Sequence, residues 1–281
     1  MLNRRRKSCI KTISYALATA ALMTIVSGCT EDKIIEEQQT AQIEAGAIKK
    51  LRVSNPSGDL TIVGSDQVDK IEAVAKIKRT ENVPSEAFKM TFTERGEEAE
   101  FVNSLSSSSF GIHVLHQMDI TLSVPRKMEL DIVDESGDIA VSGITGPVLI
   151  ADQSGEMELK DIEGAVKITD ESGNIKLEEV KGDLEILDDS GNVILTNNQG
   201  NVNMKDSSGE IEISNHSGMI VVVDDSGNVK IDQVKGNVTV EDESGDLRIE
   251  QIEGDVRIES DSSGNATIER VSGTVHNNSN K

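Results

Sequence analysis

Glycine recurs with a fixed period through the C-terminal half of this 281-residue chain. Gly137, Gly155, Gly173, Gly191, Gly209, Gly227 and Gly245 lie 18 residues apart. A second series, Gly146, Gly164, Gly182, Gly200, Gly218, Gly236 and Gly254, keeps the same spacing with an offset of 9. Positions two and four after each glycine are apolar, as in Ile175/Leu177 and Leu184/Ile186. Alternation over so few residues is the period of a strand with one buried face, and glycine between strands marks tight turns. Short strands at a fixed repeat predict an all-β fold, a β-solenoid of 18-residue coils each made of two 9-residue half-repeats.

The two turns of a coil differ. One reads Asp-x-Ser-Gly, as at Asp170-Glu171-Ser172-Gly173 and Asp188-Asp189-Ser190-Gly191. The other places an apolar residue two before its glycine: Ile144, Ile162, Val180, Val234 and Ile252. Each coil thus offers about five aliphatic side chains, at ~1.5–3 kcal/mol per fully buried group, so several coils together offset chain entropy where one alone does not. This matters because 36% hydrophobic residues, 2% aromatics and a net charge of −22 would otherwise point to disorder.

The rhythm fails at both ends. Gly245 and Gly264 are 19 apart, with an extra residue near Ser260, and Ala266 stands where a larger core residue is expected. That last coil reads as a degenerate cap over the open edge. Val53–Ile62 copies the repeat once with Asn55 in place of Asp. Alternating segments without the period follow at Ile71–Ile77, Phe88–Phe92, Ala99–Phe101 and Met118–Val124, with an Arg95-Gly96 hairpin turn and a loop at Ser104–Ser109. The expected organisation is a signal peptide at 1–28, a lipid anchor and polar tether at 29–46, a β-rich cap at 47–128, solenoid repeats at 129–276 and a polar tail at 277–281.

The N-terminus is an address. Arg4, Arg5, Arg6 and Lys7 precede an uncharged, mostly apolar run from Thr12 to Val26, too short for a comfortable membrane span. It ends in Val26-Ser27-Gly28-Cys29, which resembles the lipobox of bacterial lipoproteins. The resemblance implies cleavage before Cys29 and a diacylglycerol on its sulfur, hence a membrane-anchored lipoprotein of the cell envelope. Residue 30 is Thr rather than Asp, which in such lipoproteins implies the outer membrane where a cell has two. Cleavage removes five basic and no acidic residues, taking the net charge from −22 to −27. So acidic a chain repels phosphates, and no nucleic-acid partner is expected. The two cysteines, Cys9 and Cys29, both lie in this region and build no disulfide scaffold.

The recurring SG[DN][IVL]x[IVL] and [IV]xG[DN][VL]x[IV] units, from about residue 48 to 275, resemble the putative-adhesin domain family of bacterial envelope proteins, a domain of unknown function. The resemblance implies surface adhesion and supplies no catalytic residues.

Several features are candidates for chemistry. Asp134, Asp152, Asp170, Asp188, Asp206, Asp224 and Asp242 would stack at one coil per ~4.8 Å, where like charges repel by roughly 1 kcal/mol per pair even in water. Asp with Gly three residues on is a turn signature; calcium coordination is the alternative. Asn198 and His216 interrupt the apolar column in neighbouring coils and could hydrogen-bond each other. His113 and His116 lack a third ligand. Glu158/Lys176, Glu212/Lys230 and Lys167/Glu185 read as ion pairs across a solvated face, and Met219–Val223, with Leu149 and Leu187, as an outward apolar patch for a partner, a second copy or the cap. No nucleophile–His–acid order, P-loop or zinc spacing occurs, and repeated coils give every carboxylate the same environment, whereas acid–base work wants unlike ones. The expectation is a non-catalytic binding or scaffolding module with an unknown envelope or surface ligand; the alternative is an envelope-stress or calcium-responsive module. No cofactor, metal or catalytic residue is expected, and Cys29 is the one site residue named.

Overall fold

The computed structural model describes residues 11–13, 33–106 and 116–278. Among these, every element is a β-strand except one 3-10 turn, Ser85–Ala87. The strands form two sheets of 13 and 12 strands. From residue 129 onward the chain alternates between the sheets and pairs each strand in parallel with the one 18 residues ahead. Val166–Asp170 pairs with Leu184–Asp188, and Ile175–Val180 with Val193–Thr196. This is the expected β-solenoid. Its interior is aliphatic: Ile168, Ile175, Leu177, Ile186, Val193 and Leu195 are all inaccessible to solvent.

Register is fixed by more than the apolar alternation. Where an Asp or Asn follows the repeat glycine, it accepts a hydrogen bond from the backbone N–H one coil on, as in Asn192 N to Asn174 Oδ1 at 2.9 Å and Asn201 N to Asp183 Oδ1 at 2.8 Å. The turn serine donates its hydroxyl to a carbonyl of the preceding coil, as in Ser172 Oγ to Gln153 O at 2.9 Å. Glycine is required because the coils touch there. Gly191 has φ 140°, and a Cβ on it would overlap the Gly173 carbonyl oxygen.

The extra residue at Ser260 appears as a register shift between Val240 and Glu241, after which Asp261 falls opposite Asp242. The last coil pairs with Leu247–Ile252 and covers it, while its own Ala266, Ile268 and Val271 are half-buried.

The N-terminal region departs from the expected boundaries in two ways. First, the polar segment expected to be a tether contains an 11-residue strand, Ile34–Glu44, antiparallel to Lys70–Thr80 at the sheet edge. Its pattern is hidden because two inward positions carry Glu37 and Gln39. Arg79 Nη2 donates to Glu37 Oε2 at 3.1 Å, the Ser85 hydroxyl donates to Glu37 Oε1, and Gln39 Nε2 donates to Ser85 Oγ at 3.2 Å. Burial pushes the Glu37 carboxyl up, but Ser85 and Arg79 outweigh it and its pKa ends below the ordinary value.

Second, the solenoid begins before residue 129. Lys50–Asn55 pairs in parallel with Glu129–Asp134, and Leu60–Ser65 with Ile139–Ile144. Residues 66–128 are an excursion that folds back over this first coil. Glu98–Leu105 and His116–Pro125 pair in parallel with its outer edge, making one more coil. Phe88–Arg95 and Lys70–Thr80 then close the end with antiparallel pairing. Phe88, Phe92 and Phe101 are buried here, the last two with ring centroids 5.0 Å apart. Wide antiparallel layers need larger side chains than the narrow coils do.

Candidate functional site

The features singled out in the sequence fall on one corner, the opposite corner and one outer face of the solenoid. At the first corner, Asp134, Asp152, Asp170, Asp188, Asp206, Asp224 and Asp242 stand in register, each at most 3% exposed, and Asp261 continues the row. Each Oδ1 from Asp134 to Asp224 accepts the backbone N–H two residues on, for example Ser136 N at 3.0 Å and Ser208 N at 3.1 Å. These carboxylates therefore shape the turns. Among the described residues no group of three or more His, Cys, Asp or Glu is arranged to hold a metal ion. The row also runs further than the aspartates: Asn55 and Asn103 occupy its next two rungs toward the cap and are buried as deeply.

Burial, reinforced in most rungs by the neighbouring carboxylates, raises these acids out of the usual range. The pKa is raised to about 7 at Asp134, Asp188 and Asp224 and to about 6 at Asp170 and Asp242. Asp152 and Asp206 move in the same direction.

At the second corner Asn198 and His216 do not bond each other. Asn198 Oδ1 accepts Val180 N–H at 2.7 Å and its Nδ2 donates to Leu177 O at 3.2 Å, while His216 Nε2 bonds Gly200 O at 2.8 Å. Each bonds the local backbone, although His216 Nδ1 is buried without a partner. Burial lowers the His216 pKa against a smaller opposite effect of that carbonyl. A feature the sequence did not disclose lies one residue before this column. Asp161, Glu179, Asn197, Asn215, Gln233, Gln251 and Arg270 all adopt left-handed φ of 53–60°. The available signal was Gly143, with φ 70°, at the same position of the first repeat coil. Asn197, Asn215, Gln233 and Gln251 line an open polar groove of about 670 Å³ with Gln199 and Ser217.

The outer face of the first sheet carries the expected ion pair Lys167–Glu185 at 2.6 Å, and the second sheet carries Lys176–Glu158 at 2.7 Å and Lys230–Glu212 at 2.6 Å. Lys181–Glu163 at 3.0 Å and Lys160–Glu178 at 3.1 Å extend the same pattern. Met219 is 48% exposed, Leu187 41% and Leu149 37%, so the cap does not cover this face. The apolar residues are not continuous: Lys167, Glu185 and Asn203 lie between Leu149 and Val221 in the same cross-strand column. A shallow groove of about 570 Å³ runs along them, walled by Pro147, Leu149, Met219 and Val221.

His116 lies exposed in its strand, and His113 is outside the described residues, as are Cys29 and the second half of the Ser104–Ser109 loop.

No curated protein matches the chain in sequence. Similar solved structures include a putative lipid binding protein from Parabacteroides distasonis (15% identity, 85% of this chain and 96% of that one, TM-score 0.47). A putative adhesin from the same organism matches at 13% identity with the same coverage and TM-score, and a putative adhesin from Bacteroides fragilis at 13%, 85%, 96% and 0.41. The model of the family described as Toastrack DUF4097 matches residues 48–231, well over half of the sequence. The stacked coils, their repeated turn units and this match agree: the chain belongs to the Toastrack DUF4097 family.

Proposed function

We propose that this protein is a non-catalytic lipoprotein of the cell envelope, anchored through Cys29 and presenting its solenoid as an adhesin-like binding module. The observation that carries the reading is the pairing of a lipobox, Val26-Ser27-Gly28-Cys29, with a rigid body whose open grooves lie along outer faces. In-register stacking holds the outward side chains in straight columns, which suits recognition of an extended surface better than enclosure of a small substrate. The first-sheet groove, with Leu149, Met219 and Val221 beside Lys167 and Glu185, is the contact face this reading favours. Two acyl chains would give stable anchoring, and Thr30 favours the outer membrane in a two-membrane cell.

The test is fractionation of cells expressing Cys29→Ser. The variant is expected in the soluble fraction, and its retention in membranes would refute the anchor. Cells bearing Val221→Asp are expected to keep the anchored, folded protein and to lose attachment to whichever surface the parent binds. Unchanged attachment would remove this face from the reading.

A further inference from the structure

The acid row at the first corner holds more than turns. Toward the cap its rungs are joined by hydrogen bonds. Asn103 Nδ2 donates to Asn55 Oδ1 at 2.7 Å, and Asn55 Nδ2 donates to Asp134 Oδ2 at 2.8 Å. An N–H thus sits between each pair of stacked rungs. Beyond Asp134 every rung is a carboxyl and the amide hydrogens stop. The side-chain positions stay in register, yet Oδ2 of Asp152, Asp170, Asp188, Asp206, Asp224 and Asp242 is buried with no hydrogen-bond partner. A buried acceptor left unpaired costs about 1–3 kcal/mol, more if charged, so six in a row require a compensating group.

Among the described residues, none of the charged groups that shift these carboxyls is a cation. The charged groups that act on the row are Asp138, Glu171, Asp189 and Asp225 on its own turns and Asp261 at its end, all acidic. The second-sheet strands facing it across the core turn mostly aliphatic side chains inward, among them Leu177, Leu195 and Ile213; their buried titratable groups are His216, at the opposite corner with Nε2 on Gly200 O, and Glu250, paired with Arg248 and Arg270. The smallest group that restores a donor between stacked carboxyls is a hydrogen ion, and it also removes the like-charge repulsion.

We propose that the row from Asp134 to Asp242 is a proton-binding ladder, in which neighbouring carboxyls share protons as O–H···O bridges that continue the amide bridges of Asn103 and Asn55. Each proton comes from solvent, cancels one negative charge and converts one oxygen from acceptor to donor. The unfolded chain binds these protons only near pH 3.8, the ordinary value, whereas the folded ladder holds them up to about pH 6–7. Folding therefore takes up protons between those limits, and the ladder's stabilisation is full below pH 3.8 and is lost as pH rises through 6–7. Asp152 and Asp206 act in the same direction.

The test uses the full-length chain in detergent. Carboxyl carbon signals of aspartate-labelled protein are expected to show a set of aspartate carboxyls still largely protonated at pH 6. The melting temperature is expected to fall between pH 5 and pH 8. Asp188→Asn supplies a permanent N–H and is expected to raise melting at pH 8 by roughly 2–4 °C and to flatten the slope. Asp189→Asn removes the same charge outside the ladder and is expected to leave the slope nearly as it was. Full ionisation of all aspartates at pH 6, or equal flattening by Asp188→Asn and Asp189→Asn, overturns the proposal. The titration of the parent protein decides the matter even if a variant does not fold.

Discussion

The two corners of each coil are built from opposite materials. From Asp134 to Asp242 the first is the same in every rung: a buried carboxyl, a stapling serine and a stacked glycine. The second pairs an inward plug, aliphatic except at Asn198 and His216, with a left-handed residue whose identity changes from coil to coil, Asp161, Glu179, Asn197, Asn215, Gln233, Gln251, Arg270. A uniform corner fixes the stacking. A variable corner is free of that duty, so the chain can write a different surface on each coil without disturbing the rod. The corners also answer pH with opposite signs. The acid row is more stable when protonated. His216 is depressed below its ordinary value of 6.5, so its contribution is present above pH 6.5 and is lost as pH falls through the folded value.

Three changes sharpen this contrast, in descending order of effect. Gly209→Ala strikes the uniform corner, where φ is 146° and the added Cβ would overlap the Gly191 carbonyl oxygen. A loss of about 2–5 kcal/mol in denaturant unfolding is expected from overpacking and backbone strain together. A loss under about 1 kcal/mol would mean that the coils are not in contact there. His216→Val restores the plug that Val180 and Val234 provide in neighbouring coils. It gives up one bond to Gly200 O, worth about 0.5–1.5 kcal/mol net, and gains an apolar group. Stability at pH 7.5 is expected to stay within about 1 kcal/mol of the parent, while the variant outlasts the parent below pH 6. A steeper acid loss in His216→Val than in the parent would reverse the sign assigned to this corner. Lys230→Met breaks an outward ion pair with Glu212 in which both side chains are largely exposed. Such pairs are screened and entropically costly, so no change in the melting curve at physiological salt is expected.

The repeat body was legible because its period expresses a physical necessity. Gly191, Asp188 and Ile186 recur since every coil stacks on a copy of itself. The acid row was legible as a set of turns, but its depth was not. An aspartate before a turn normally faces water, and only the pairing register reveals that Asp188 lies between Asp170 and Asp206 under the strand ends. Asn55 was seen as a substitute for Asp, yet its place as the amide bridge to Asp134 depends on a partner 79 residues away. The strand Ile34–Glu44 was obscured because its inward positions hold Glu37 and Gln39, which are paired with Arg79 and Ser85 from other strands. Local alternation reports burial only where burial is apolar. The split of the outer apolar face by Lys167 and Glu185 likewise depends on cross-strand columns, which chain order alone does not display.

The excursion between residues 66 and 128 has a bearing on how the chain is made. From residue 129 onward each coil docks on one completed 18 residues earlier, so the rod can lengthen in step with synthesis. The first coil has no such support. Lys50–Asn55 and Leu60–Ser65 acquire their neighbours on one side from the excursion and on the other from Glu129–Ile144. A chain emerging from its N-terminus must expose these strand edges until about residue 144 has appeared, and contacts so distant in sequence form slowly. The period of greatest vulnerability to misassembly thus comes early, before the repeats begin, and it ends abruptly when the first repeat coil closes the joint.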